Sequence, residues 1–218
     1  MSAAEQLDEV VLYDYWRSSA SYRARIALNL LGLDYRIVPV DLLNGEHREP
    51  EHISRNPQGL VPALLIDGEL LGQSLAMIEY LDETQANAGL LPEAPLERAR
   101  VRQVSHAIAM DIHPICNMQV SNRVVELTNG GNQMRVAWMH EYIGKGLDAV
   151  EALLAKGDTD LCFGERPGMA DCCLVPQLYN ARRWECDVGR WPRLTAIEGR
   201  CNALEPFARA HPDKVRPD

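Results

Sequence analysis

The chain has 218 residues, 46% hydrophobic and 24% charged, with 31 acidic against 22 basic side chains and a formal net charge of −9. That size allows one large domain or two small ones with ample core, and the composition is ordinary for a soluble globular protein. The acidic balance excludes non-specific nucleic-acid binding, which needs a positive surface, while leaving room for a local basic pocket. No apolar run approaches the roughly 20 residues that span a bilayer. The opening MSAAEQLDE is acidic and lacks the apolar centre of a signal peptide. The expectation is a cytoplasmic protein that binds neither nucleic acid nor membrane.

Residues 10–15 predict a buried strand. Arg17-Ser18-Ser19 follows, then a helix over 21–31 with Ser21 as N-cap and Gly32 as the stop. Ile26, Leu30 and Leu31 fall at helical spacing on its apolar face. Residues 35–40 alternate as a second strand, and strand-helix-strand order implies a parallel pair with a right-handed crossover. Residues 42–57 are polar, with a short irregular helix. Residues 63–66 and 69–71 flank Asp67-Gly68, a strong hairpin signal. Ser74 caps a predicted helix over 75–83, with Leu75, Ile78 and Leu81 on one stripe. The pattern is β-α-β, a hairpin, then α: an α/β domain over 9–87.

Residues 88–95 (AGLLPEAP) read as a linker. Residues 96–218 lack strand signals and form the second, all-α domain. Candidate helices there cover 96–122, 133–154, 170–184 and 194–204. No internal repeat is visible.

All six cysteines, Cys116, Cys162, Cys172, Cys173, Cys186 and Cys201, lie in the second half without C-x-x-C spacing. A disulfide framework or a structural metal site needs better spacing. Thiols kept reduced in the cytosol are the expectation. The competing reading is a redox role for Cys172-Cys173, although neighbours on a helix point in different directions.

Chemistry concentrates at the first helix. Hydroxyls at a helix start meet the positive end of the dipole, where an anion such as a thiolate is held. Val61-Pro62 leads into a strand. If that bond is cis, it turns the backbone of Val61 outward to pair with an extended peptide. Ser74 opens a helix whose amides suit a carboxylate, and it is equally an N-cap.

These segments together resemble the zeta class of glutathione transferases, and within it the maleylacetoacetate isomerases. The carrying residues are 17–28 (RSSASYRARIAL), Asn56-Pro57 with Val61-Pro62, and 73–81 (QSLAMIEYL). Further on come Asp111-Ile112-His113-Pro114 and 170–177 (ADCCLVPQ). The likeness spans about residues 10–210. It implies the glutathione transferase fold, a thioredoxin-like N-terminal α/β domain plus an all-α C-terminal domain, as a homodimer. It implies glutathione as cofactor and a small anionic diketo acid as substrate.

By the same resemblance, Ser18 holds the glutathione sulfur as thiolate, assisted by Ser19. Val61 and Pro62 meet the tripeptide backbone, and Gln73 and Ser74 hold its γ-glutamyl end. His47 lies near the glycine carboxylate, or is an exposed loop histidine. His113 and Asn117 line the cleft from the helical domain, although His113 also reads as a packing residue. Arg17 is a catalytic cation beside the sulfur, against the bland reading of a solvated loop residue. Arg183 supplies the second cation, with Arg182 as its competitor. Arg23 and Arg25 read as structural, paired with acidic neighbours on the first helix. Asp171 reads as satisfying backbone donors. The chain departs from the family pattern at Ala20, where the best-known form has cysteine, and at Gly168, which takes the place of a capping Ser or Thr.

The implied reaction is cis–trans isomerisation of maleylacetoacetate to fumarylacetoacetate, in tyrosine and homogentisate breakdown. A thiolate adds to the alkene, the resulting single bond rotates, and loss of the thiol returns the trans isomer with glutathione regenerated. Guanidiniums suit both the substrate carboxylate and the charge that gathers on it. Maleylpyruvate isomerisation and conjugation of glutathione to α-halo acids share the same residues. A non-catalytic binding module is the reading from another class, since fold alone does not fix function.

Overall fold

The computed structural model describes residues 9–155, 157 and 159–217. Of the acidic opening segment, only Glu9 falls among them. The chain divides into two compact units. One runs to Leu90 and resumes at Leu204; the other covers Leu91–Ala203.

The first unit is built on four strands: β1 (Val11–Asp14), β2 (Arg36–Pro39), β3 (Ala63–Ile66) and β4 (Glu69–Leu71). Their spatial order is β2-β1-β3-β4. β1 pairs parallel with β2, Val11 opposite Arg36, because helix α1 (Ser19–Leu30) makes the crossover. β3 runs antiparallel to β1, and β4 antiparallel to β3, with Ile66 opposite Glu69. The Asp67-Gly68 turn has φ of 52° and 78°, the mirror-image turn that matches strand twist. Between β2 and β3 lie a 3₁₀ turn (Glu46–Arg48) and helix α2 (Pro50–Arg55). Helix α3 (Ser74–Thr84) follows the hairpin. Leu12, Leu64, Ile26, Leu28, Met77, Ile78 and Leu81 are fully buried and form the core.

The second unit is helical. Helix α4 (Pro95–His106) continues into a π-helical turn (Ala107–Ile112); α5 (Met118–Thr128), α6 (Gly131–Leu154), α7 (Met169–Arg183) and α8 (Pro192–Asn202) follow. Its buried core includes Ile108, Ile143, Leu147, Leu174, Leu178 and Leu194. Any side chain at Gly146 would meet Ile112, so glycine lets α6 pass close to the π-helical turn.

Four expectations change. The single helix over 96–122 is two elements. Pro114 cannot continue the ladder, and Asn117 caps a new helix by accepting from the Val120 N–H at 2.8 Å. The N-cap of α1 is Ser18, three residues earlier than Ser21; its Oγ accepts from the Ser21 N–H at 3.3 Å. Gln73 rather than Ser74 holds the cap position of α3, at φ 62°. The division at 96–218 gives way to one that assigns the chain from Leu204 onward, with α9 (Glu205–Ala210) and α10 (Pro212–Val215), to the first unit. The reason lies on α1, where Asn29 and Arg25 donate to the carbonyls of Pro206 and Ala210 at 2.9 and 3.0 Å.

Candidate active site

Ser18 sits in extended backbone, φ −69° and ψ 125°, at the point where β1 feeds α1. Its N–H donates to the Tyr15 carbonyl at 2.8 Å, which closes the turn. One lone pair of Oγ is taken by the Ser21 amide. A hydroxyl has one proton and two acceptor sites, so Ser18 keeps its proton for an external acceptor. Accepting from an amide also polarises the O–H and makes it a better donor. Ser19 is buried behind it, and Arg17, before it, is half-exposed with its guanidinium carbon 5.3 Å from the centre of the Trp16 ring.

The turn is held from below by a buried ion pair. Arg25 contacts both carboxylate oxygens of Asp14 at 2.7 Å and donates to the Trp16 carbonyl at 2.9 Å. Burial pushes the Asp14 pKa up, and the Arg25 charge opposes that. The partner is therefore a strand acid, because α1 offers no acid in its first turn. Arg23, likewise buried, donates to Ser74 Oγ at 3.3 Å and links α1 to the start of α3.

Val61 lies just beyond the ladder, which ends at Tyr13 opposite Ala63, and the Val61–Pro62 peptide is cis. Its side chain packs with Tyr15 and Val40, so it shares a cluster with the residue that closes the Ser18 turn. The preceding Leu60 carbonyl accepts from both His52 Nε2 at 2.9 Å and Asn56 Nδ2 at 2.8 Å. His52 escaped the sequence reading. Its signal was a histidine on a short amphipathic helix directly before Asn-Pro.

Gln73 hydrogen-bonds through Nε2 to Gln58 at 2.8 Å. Its backbone has a positive φ of 62°, and the first helical bond runs from Met77 to Gln73. The amides of Ser74, Leu75 and Ala76 therefore have no partner inside the helix and suit a carboxylate. His47 accepts at Nε2 from Arg48 at 3.1 Å, which assigns the ring proton to Nδ1. That Nδ1 is buried and unpartnered. Burial, then Arg48 and His52, push the His47 pKa down and keep the ring neutral. It is a donor waiting for an acceptor.

The other singled-out residues belong to the helical unit. His113 ends the π-helical turn, its N–H bonded to Ile108 at 3.0 Å. Asn117 spends its side-chain oxygen on the cap of α5 and keeps its amide hydrogens. Arg182 and Arg183 are the exposed last two residues of α7, and Arg182 pairs with Glu198 of α8 at 2.5 Å. Asp171 accepts from the amides of Gly168 at 2.9 Å and Cys162 at 3.0 Å, as read from the sequence. The cysteines form no disulfide; Cys172 and Cys173 are fully buried, and burial raises the Cys172 thiol pKa. No cluster of metal-ligating side chains occurs among the described residues. No described helix is long and apolar enough to cross a membrane.

A mixed four-stranded sheet, a hydroxyl at the first helix start and a helical second unit define a class of enzyme. Family models described as the N-terminal and C-terminal domains of glutathione S-transferase match residues 8–83 and 119–199. The chain belongs to the glutathione S-transferase family. It is 59% identical over 211 residues, covering 96% of this chain and 99% of its relative, to the maleylacetoacetate isomerase of Rhizobium meliloti. A solved maleylpyruvate isomerase, described as a bacterial zeta-class glutathione S-transferase, superimposes with a TM-score of 0.92 at 39% identity, covering 94% of this chain and 98% of that one. A maleylacetoacetate isomerase from Methylobacterium extorquens AM1, solved with malonate and glutathione, gives a TM-score of 0.90 at 35% identity over 94% and 97%.

Proposed function

We propose that this protein catalyses the glutathione-dependent cis–trans isomerisation of maleylacetoacetate to fumarylacetoacetate. The observation that carries the reading is end-to-end likeness to proteins of that name, combined with a Ser18 hydroxyl whose proton is uncommitted at the start of α1. Glutathione, when bound, supplies the sulfur that adds to the double bond, permits rotation and departs unchanged.

Ser18 donates its O–H to that sulfur and favours the charged form, with the α1 dipole and Ser19 assisting. Val61, before cis-Pro62, pairs its backbone with the tripeptide. Gln73 and the amides from Ser74 onward hold the γ-glutamyl carboxylate. His47 donates Nδ1–H to the glycine carboxylate; the buried, unpartnered nitrogen supports this role. Arg17 pairs with a carboxylate of the acid and lowers the cost of charge developing beside it. The family resemblance adds Arg183 as a second catalytic cation, and His113 and Asn117 as lining residues. It also supports a homodimer and a cytoplasmic location, the first of which sedimentation equilibrium decides.

The test is absorbance change of maleylacetoacetate with and without glutathione. Turnover that requires glutathione supports the reading. No glutathione-dependent turnover with this acid, or with maleylpyruvate in its place, overturns isomerisation. Maleylpyruvate is the second reading because a solved relative bears that name; the larger kcat/KM of the two acids assigns the substrate.

A further inference from the structure

Arg216 lies beyond every helix read from the sequence, yet the fold returns it to the Ser18 turn. The C-terminal segment is tied to α1 by Asn29 and Arg25, and by an edge-to-face contact of Tyr22 with His211, ring centres 6.1 Å apart. His211 Nδ1 accepts from the Asp213 N–H at 3.3 Å and starts α10. Pro217 then restricts Arg216 to extended backbone, φ −63° and ψ 126°. The Arg216 guanidinium carbon ends 5.1 Å from the centre of the Trp16 ring. Arg17 approaches the same ring, at 5.3 Å.

Two guanidiniums thus share one indole in a chain of net charge −9. Neither Arg17 nor Arg216 has a carboxylate partner among the described residues, although acids outnumber bases. The ring face holds each cation by about 0.5–1 kcal/mol and offers no hydrogen-bond acceptor in its plane. Each guanidinium therefore keeps its N–H donors for a ligand, and two like charges held together are relieved by an anion between them. A planar carboxylate fits that donor geometry.

We propose that Arg216 joins Arg17 in gripping a carboxylate of the acid substrate, so that the C-terminal segment is part of the substrate site. The proposal rests on the isomerase reading above. Trp16 is the platform that sets the spacing of the two cations, two residues before Ser18.

The test is R216Q and R216K in the full chain, with thermal midpoints as a folding control. R216Q should raise KM for maleylacetoacetate about fivefold, the scale of a partly exposed charge contact, with kcat changed less than about twofold. KM for glutathione should stay the same, and R216K should recover part of the loss. Calorimetric titration of the glutathione-saturated protein with malonate should show a similar loss of affinity in R216Q. Unchanged KM for the acid together with unchanged malonate affinity overturns the proposal. So does a rise confined to KM for glutathione, which would assign the pair to the tripeptide. Absence of turnover in the parent overturns the isomerase reading alone, and the malonate titration then still judges Arg216.

Discussion

Arg25 grips both oxygens of Asp14 at 2.7 Å while neither side chain is more than 1% exposed. The same guanidinium reaches the carbonyls of Trp16 and Ala210. One planar fork therefore ties β1, the turn that presents Ser18, and the C-terminal segment. Burying two charges is costly, and this pair offsets the cost only because every arm of the fork is used.

Replacing Arg25 should be among the most damaging single changes. Arg25→Met leaves Asp14 buried without its partner and frees two carbonyls, a loss of about 3–5 kcal/mol. Arg25→Lys keeps the charge but not the fork and should lose nearly as much. Urea unfolding measures both. A loss under about 1 kcal/mol in either variant would show that the pair does not organise the turn.

The alternation and turn chemistry of the first 87 residues made most of this legible. Asp67-Gly68 announced its hairpin because the mirror-image turn needs residues that tolerate positive φ. Two other features depended on contacts distant in sequence. Arg25 was assigned to helix acids, because nothing local says that the acid of a buried strand faces α1. Residues 204–217 read as the tail of the helical domain, since the contacts that tie them to the first unit, among them those of Asn29 and Arg25 with the Pro206 and Ala210 carbonyls, are distant in sequence. The sequence offers Ser18 for sulfur chemistry and Ser21 as the cap; the cap is Ser18 Oγ, which as an acceptor still leaves its proton for the proposed sulfur contact. Arg216 carried no sequence signal at all, being a charged residue near a terminus.

Asp171 gives a pH signature. It is fully buried, and burial raises its pKa despite bonds from the Gly168 and Cys162 amides. Its carboxyl therefore binds a proton more tightly in the folded than in the unfolded chain. Below the unfolded value of about 3.9 this stabilisation is complete. It is lost as pH rises through the higher folded value, where the unfolded state binds fewer protons. Asp171→Asn should remove that component, so its unfolding free energy should fall less than the parent's between about pH 4 and 7. Asp171→Ala should cost about 2–4 kcal/mol at low pH, and less as pH rises, by leaving the buried Cys162 amide and the half-buried Gly168 amide unpaired. Identical pH slopes for the parent and D171N would contradict the assignment.

The cysteines should be nearly inert in the folded protein. Cys116, Cys162, Cys172, Cys173 and Cys201 are buried, and only Cys186 is half-exposed. Burial pushes the Cys116 thiol up to about 12 and the Cys186 thiol upward as well. Reaction follows thiolate fraction and access. A disulfide reagent at neutral pH should titrate no more than one thiol quickly in the native state and all six after denaturation. Iodoacetamide should leave turnover intact. Rapid native reaction of several thiols would revive a redox role for Cys172-Cys173.

The cap that Ser18 forms and the sulfur contact proposed for it can be separated by substitution. Ser18→Ala removes both the cap and the hydroxyl. It should cost about 1 kcal/mol of stability and lower turnover about tenfold or more, roughly 1.4 kcal/mol on the barrier. Ser18→Asn keeps an acceptor for the Ser21 amide, so stability should return toward the parent while turnover stays low. Ser18→Thr keeps hydroxyl and cap together and should recover part of both. Glutathione affinity should change less than about threefold in all three, because the proposed partners of the tripeptide's carboxylates are Gln73, Ser74 and His47. Calorimetry and thermal melting alongside the absorbance assay make the distinction. Full turnover in S18N would mean that the cap, and not the O–H donor, is what the reaction needs at this position.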